Sequence, residues 1–250
     1  MKFNQEQHKI WETLIGRQTP NVLNHASKIY LQGRQKLNLS MTHVPTLLEL
    51  NQKITPETDW KVIRTKIRYS DTSSWYQHFL RHEFIVTNYL RSKDELEFTP
   101  EPDMFHDIFG HLPFFTLPEY TEIMDMFTQA YIRSNPEQQE AIKRLGWFSY
   151  EFGLIRENGA PKAFGTGLIS SIGELQNSVS GKVPILPFTI ENVLKRNKAI
   201  ASFNKELFIF ESLDALKAEL QKFFSTIKGD VQQEYLKVVD REMDLSKYLS

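Results

Sequence analysis

The chain has 250 residues, 30 Lys+Arg against 31 Asp+Glu for a formal net charge of −1, and no cysteine. Charges of both signs are interspersed, which argues against the basic stripe of a nucleic-acid binder. The missing thiols exclude disulfides, cysteine-held zinc, iron–sulfur clusters and thiol catalysis. Any metal must therefore be held by nitrogen and oxygen. The length suits one large domain with a substantial core, and 40% hydrophobic with 24% charged residues is ordinary for a globular protein. The start, MKFNQEQHKI, lacks the apolar stretch of a signal peptide. No apolar run reaches the length of a bilayer span. The expectation is a cytoplasmic, monomeric protein with no membrane and no nucleic-acid partner.

Helical spacing dominates in chain order. Residues 3–16 and 22–35 read as helices, and Leu47, Leu48 and Leu50 form a short apolar stretch. Asp59 to Ile63 reads as a short strand, and 72–91 as a helix running into an extended piece. Pro100 and Pro102 break the chain, because proline fixes φ and restricts its predecessor; a helix is expected from about 102 to 110. Residues 118–133, 136–156, 170–180 and 213–227 read as further helices, and 206–211 as a strand. Phe164–Gly167 is turn-like. The fold class is mostly α with small β elements, organised as one domain over 1–228 and a C-terminal tail over 229–250, read as a peripheral helix.

Two histidine pairs stand out. His78 and His82 are four apart, which puts both on one helix face. The zinc-protease pattern needs Glu directly after the first, and Phe79 stands there, so a zinc-hydrolase reading is disfavoured. His106 and His111 are five apart, roughly 140° around a regular helix. Gly110 terminates helices readily and Pro113 follows, so a turn at Gly110 is expected to swing His111 back toward His106. On spacing alone, a metal site and two structural histidines both remain open. With no cysteine, the natural third ligand is a carboxylate, from Asp103, Asp107, Glu119, Glu151 or Glu174. Two His and one carboxylate on one face leave coordination positions open, which suits non-haem Fe(II). Glu151 lies in an aromatic stretch, where a buried carboxylate needs a partner such as a metal; a surface glutamate is the alternative.

Three segments, TPEPDMFHDIFGHLPFF, WFSYEFGL and AFGTGLISSIGELQ, resemble the signature blocks of the tetrahydrobiopterin-dependent aromatic amino acid hydroxylases. The resemblance covers roughly residues 10 to 225. Asp107, after the first histidine, is similar to the bacterial phenylalanine hydroxylases of that family. The resemblance implies a catalytic domain that binds Fe(II) through His106, His111 and Glu151, with a tetrahydropterin as cofactor and O₂ as co-substrate. It implies hydroxylation of an aromatic amino acid, first phenylalanine to tyrosine, with tryptophan or another ring position as alternatives. A non-catalytic iron-containing protein that binds an aromatic metabolite is the competing class.

Residue by residue, the resemblance assigns Arg91 to the substrate carboxylate, where a guanidinium offers a bidentate fork. It places Thr99, Pro102, Trp147, Gly167 and Ser170 around the substrate. Trp75 falls where an aromatic stacks on the pterin, and Asp107 and Phe152 fall on the cofactor side. Ser171 and Glu174 also match family positions. The glycines of Gly165-Thr-Gly167 suggest a close backbone approach to substrate. Ile200 stands where tyrosine hydroxylases carry Asp, so it offers a phenol no hydrogen bond. The departures are Gly146, where most members carry Tyr and whose absence predicts a roomier site, the divergent segment 65–74, and His82, where Arg is common.

Overall fold

The computed structural model describes residues 3–96, 102–199 and 202–243. Thr99 and Ile200 lie outside them. Helix α1 (Gln5–His25) starts at a reciprocal cap between Asn4 and Gln7 and continues through Pro20. It runs beyond the end at 16 that the sequence suggested and takes in the start of the second expected helix, 22–35. The proline removes one backbone bond, but Ile10, Trp11, Leu14, Ile15, Gln18 and Val22 on both sides of it are buried along the helix. Helix α2 (Lys28–Leu37) follows Ser27 as cap, and α3 (Leu47–Thr58) follows a Thr46–Glu49 capping box. The apolar stretch at 47–50 is thus the first turn of a helix.

Strand β1 (Lys61–Arg64) pairs in parallel with β2 (Glu83–Val86), and α4 (Thr72–Phe79) crosses between them. After the His106–His111 segment come α5 (Pro118–Tyr131) and α6 (Pro136–Gly146), both with proline in the first turn. Strands β3 (Leu154–Glu157) and β4 (Ala160–Ala163) form a hairpin whose turn uses positive φ at Asn158 and Gly159. Helices α7 (Thr166–Ser170) and α8 (Ile172–Val179) lead to β5 (Ile185–Pro187) and α9 (Ile190–Leu194). Strand β6 (Leu207–Phe210) and α10 (Leu213–Phe224) follow. The second sheet runs β4-β3-β6-β5. Of these four strands the sequence marked only β6, because Pro161 and Pro187 hide β4 and β5 and all are three or four residues long.

The core is aromatic. Phe105, Phe109, Phe114, Phe115, Tyr120 and Phe127 are all fully buried. Residues 229–243 carry one short 3-10 turn, Gln233–Leu236, rather than the expected peripheral helix. No helix among the described residues is long and apolar enough to cross a membrane.

Tyr30, fully buried on α2, donates its hydroxyl to the Phe109 carbonyl at 2.9 Å. Tyr30→Phe leaves that buried carbonyl without this donor and should cost about 1–2 kcal/mol. Urea unfolding of wild type and variant measures it.

Candidate active site

The segment His106–His111 is π-helical. Its closing bond runs from the Leu112 N–H to the Asp107 carbonyl at 3.2 Å, an i→i+5 link. The chain therefore does not turn at Gly110 as the sequence suggested. The wider winding brings the fifth residue back over the first, and both imidazoles face the same point. Gly110 is needed for a different reason: a Cβ there would sit 3.0 Å from the Thr166 carbonyl of α7.

The second π-helical segment, Trp147–Glu151, extends α6, with the Phe152 N–H bonded to the Trp147 carbonyl at 2.9 Å. It delivers Glu151 to the same place. His106 Nε2 and His111 Nε2 lie 3.1 Å apart. Glu151 Oε1 is 3.3 Å from His111 Nε2, and Oε2 is 3.7 Å from His106 Nε2. The ligand atoms all fall within 4.8 Å of one another, and among the described residues this is the one such cluster of three.

These edges fit a shared cation, since ligands about 2.1 Å from one ion and at right angles stand roughly 3 Å apart. The donor chemistry fits as well. His106 Nδ1 lies 2.7 Å from Ser170 Oγ, which suits an N–H there and leaves Nε2 as a lone pair. Burial, aided by the neighbouring His111, pushes the His106 pKa down to about 4, so the ring is neutral. Burial opposes ionisation of Glu151, but the two histidines and the Thr166 hydroxyl at 2.9 Å outweigh it and hold its pKa at about 2. A neutral imidazole and an ionised carboxylate are the protonation states that metal binding requires.

Glycines seat α7 against this cluster. A Cβ on Gly165 would come within 2.3 Å of the Glu151 carbonyl, and one on Gly167 within 2.5 Å of the Phe152 ring. The close approach expected of this motif is thus to the segment bearing Glu151.

Arg91 is buried and forks onto Asp103, Nε to Oδ2 at 2.8 Å and Nη2 to Oδ1 at 2.9 Å. Asp103 also accepts the His106 N–H at 3.1 Å, so one carboxylate fixes both the arginine and the start of the histidine segment. Pro102 precedes it, half-buried. Trp147 packs on Phe152 with ring centroids 4.4 Å apart and donates its indole N–H to Asn204 Oδ1 at 3.0 Å. Trp75, half-buried on α4, lies 5.7 Å from the His111 ring. Asp107 is buried with its carboxylate on the Thr87 N–H at 2.7 Å, and burial raises its pKa to about 7.

The space left by Gly146 is not open. A Cβ there would be 2.5 Å from the Tyr150 hydroxyl, so the Tyr150 ring fills it. The roomier site expected from Gly146 is corrected accordingly. The other histidine pair does not converge: His78 contacts Glu83 and Asp240, whereas His82 stacks on Trp60 at 5.2 Å. Sequence reasoning missed Asp103 as a bridge, although its place before a helix start is a capping signal. It also missed Thr166 and Asn204, which no spacing marks, and Tyr150, which stands four residues after Gly146 on the expected helix.

Glu174 accepts from Asn204 Nδ2 at 3.3 Å, while its other oxygen is buried with no partner. Burial raises its pKa from 4.5 to about 7. A folded-state pKa above the unfolded one favours the fold at low pH and loses that advantage as pH rises from 4.5 through 7. Glu174→Gln should therefore gain stability relative to wild type across that window, as read from thermal midpoints at pH 5 and pH 8.

A family model for biopterin-dependent aromatic amino acid hydroxylases matches residues 1–246. The phenylalanine-4-hydroxylase of Mesorhizobium japonicum is 36% identical over 222 residues, 88% of this chain and 80% of that protein. The phenylalanine-4-hydroxylase of Vibrio cholerae is 31% identical over 215 residues, 86% and 74% of the two chains. The apo structure of the cold-active phenylalanine hydroxylase from Colwellia psychrerythraea superposes with a TM-score of 0.85 at 25% identity, covering 91% of this chain and 88% of that one. A Chromobacterium violaceum phenylalanine hydroxylase structure with bound iron(III) and 7,8-dihydrobiopterin gives 0.80 at 25% identity, covering 93% and 88%. With the whole described fold and the converging site accounted for, the chain belongs to the biopterin-dependent aromatic amino acid hydroxylase family.

Proposed function

We propose that the protein hydroxylates the ring of L-phenylalanine to give tyrosine, using O₂, a tetrahydropterin and one Fe(II). The observation that carries this reading is the convergence of His106, His111 and Glu151 on one point, in a family whose members act on aromatic amino acids. Iron and pterin, when bound, supply the reducing power that splits O₂ and adds one of its atoms to the ring. His106, His111 and Glu151 would hold the metal, and two imidazoles with one carboxylate are a donor set that leaves room for other ligands.

The rest is positioning. Arg91 spends Nε and one Nη2 hydrogen on Asp103, so its Nη1 edge is left to grip the substrate carboxylate. A carboxylate clamped there turns attack on the ring into an oriented, effectively intramolecular step. Trp147 forms an aromatic wall of the substrate pocket, with Pro102 and Gly167 around the substrate and Phe152 beside it on the cofactor side; the resemblance alone assigns Thr99 to the substrate. Ser170 orients His106 from behind. Trp75 offers the pterin a stacking face beside His111, and Asp107 bounds the cofactor side. A cytoplasmic, monomeric enzyme is part of this reading, checked by fractionation and sedimentation.

The deciding assay supplies Fe(II), tetrahydropterin and O₂ with Phe, Tyr or Trp and identifies products by mass and ring position. Tyrosine formed from Phe, with pterin oxidation tied to it, is expected. Pterin oxidation with none of the three overturns the assignment in favour of a binding protein. Arg91→Lys keeps the charge beside buried Asp103 but loses the fork. It should raise the KM for phenylalanine by about tenfold or more with iron content unchanged. Steady-state kinetics and metal analysis on the same preparation check this.

A further inference from the structure

The back of α4 is polar and yet buried. Ser74 and Gln77 are fully buried and His78 nearly so. With Arg81 in the following turn they share one face, at spacings of three, four and seven. Trp75 and Phe79 point to another face, where Trp75 meets Phe84 at 5.2 Å and His111 at 5.7 Å. Buried polar groups need partners, and the C-terminal segment provides them.

Ser74 Oγ donates to the Val239 carbonyl at 3.0 Å and accepts the Arg241 N–H at 2.8 Å. Gln77 donates to the Glu234 carbonyl at 3.2 Å and accepts the Val239 N–H at 2.8 Å. His78 lies between Glu83 at 2.8 Å and Asp240 at 2.9 Å. Arg81 reaches the Leu236 carbonyl at 2.7 Å. The loop before α4 is tied in the same way, the Asp71 N–H to the Arg241 carbonyl at 2.8 Å and the Met243 N–H to the Tyr69 carbonyl at 2.9 Å. The near end is anchored elsewhere: the Gln232 N–H bonds the Ile132 carbonyl at 3.0 Å, and Tyr235 is buried against Tyr131.

We infer that residues 232–243 form a strap that positions α4, and through it Trp75, with Ser74, Gln77 and His78 as the positioning residues it grips. The consequence for catalysis rests on the reading above that Trp75 faces the pterin. The strap contributes no group to the metal cluster. It replaces the apolar backing a helix normally has with directional hydrogen bonds, which fix the helix in rotation as well as in depth. The divergent segment 65–74 belongs to this unit: it departs from its family where the strap binds it.

The test labels the protein with 5-fluorotryptophan and follows the Trp75 resonance by ¹⁹F NMR without metal or pterin, assigned by its loss in Trp75→Phe. Compared are the full chain, a chain ending at Asp230, Asp240→Ala, Asp240→Asn, and Gln77→Ala combined with Asp240→Ala. The shortened chain and the double variant should shift the Trp75 resonance and spare that of Trp11. Both should raise the pterin KM about tenfold with iron content unchanged. Asp240→Asn, which keeps an acceptor, should stay closer to wild type than Asp240→Ala. If the shortened chain does not fold, the double variant carries the test. An unmoved Trp75 resonance in a folded variant overturns the strap. A moved resonance with pterin KM unchanged, in the strap variants and in Trp75→Ala alike, supports the strap and overturns the assignment of Trp75 to the pterin.

Discussion

Histidines five residues apart sit roughly 140° apart around an ordinary helix and cannot share a ligand. Here the helix is wound one residue wider, and the i→i+5 bond that closes on Asp107 makes the two imidazoles neighbours at 3.1 Å. Everything else in the site follows from that winding. Glu151 arrives on a second segment wound in the same way at the end of α6. Two such segments meeting at one point is the pattern expected where local backbone irregularity serves a function.

The surroundings hold this irregular backbone in place. Asp103 receives the His106 N–H while its carboxylate is committed to Arg91. Tyr30 bonds the Phe109 carbonyl in mid-segment. α7 lies against both segments, close enough that side chains at Gly110 and Gly165 would strike backbone. From α7 come the Thr166 hydroxyl to Glu151 and the Ser170 hydroxyl to His106. One short helix thus orients two members of the cluster. Asp103 ties two parts of the site together: the same carboxylate that holds the Arg91 guanidinium starts the histidine helix.

Much of this was legible in the sequence, and the failures have physical causes. The three ligand candidates were readable because the absence of cysteine confines metal binding to histidine and carboxylate, and because the motif set is specific. The path that unites them was not. Gly110 and Pro113 signal a stop in local terms, while the actual route is a widened helix stabilised by tertiary contacts from Tyr30 and Thr166. The long helices were visible through their periodicity. Strands β3, β4 and β5 were not, being three or four residues long, with prolines in β4 and β5. Gly146 read as lost volume because the residue that refills it, Tyr150, stands one helical turn further on, and the direction its ring takes is set by packing. Asn204, which holds Trp147 from 57 residues away, leaves no local trace, and neither does the strap on α4, whose register depends on which carbonyls a coil presents.

The central claim is that one Fe(II) is held by His106, His111 and Glu151. Anaerobic Fe(II) titration of the metal-free protein, with bound iron counted after gel filtration, tests it most directly when wild type is compared with His111→Ala and Glu151→Ala. The account predicts one iron per wild-type chain and loss of tight binding in both variants while their folding, followed by circular dichroism, is retained. Stoichiometric iron retained by both variants would contradict it.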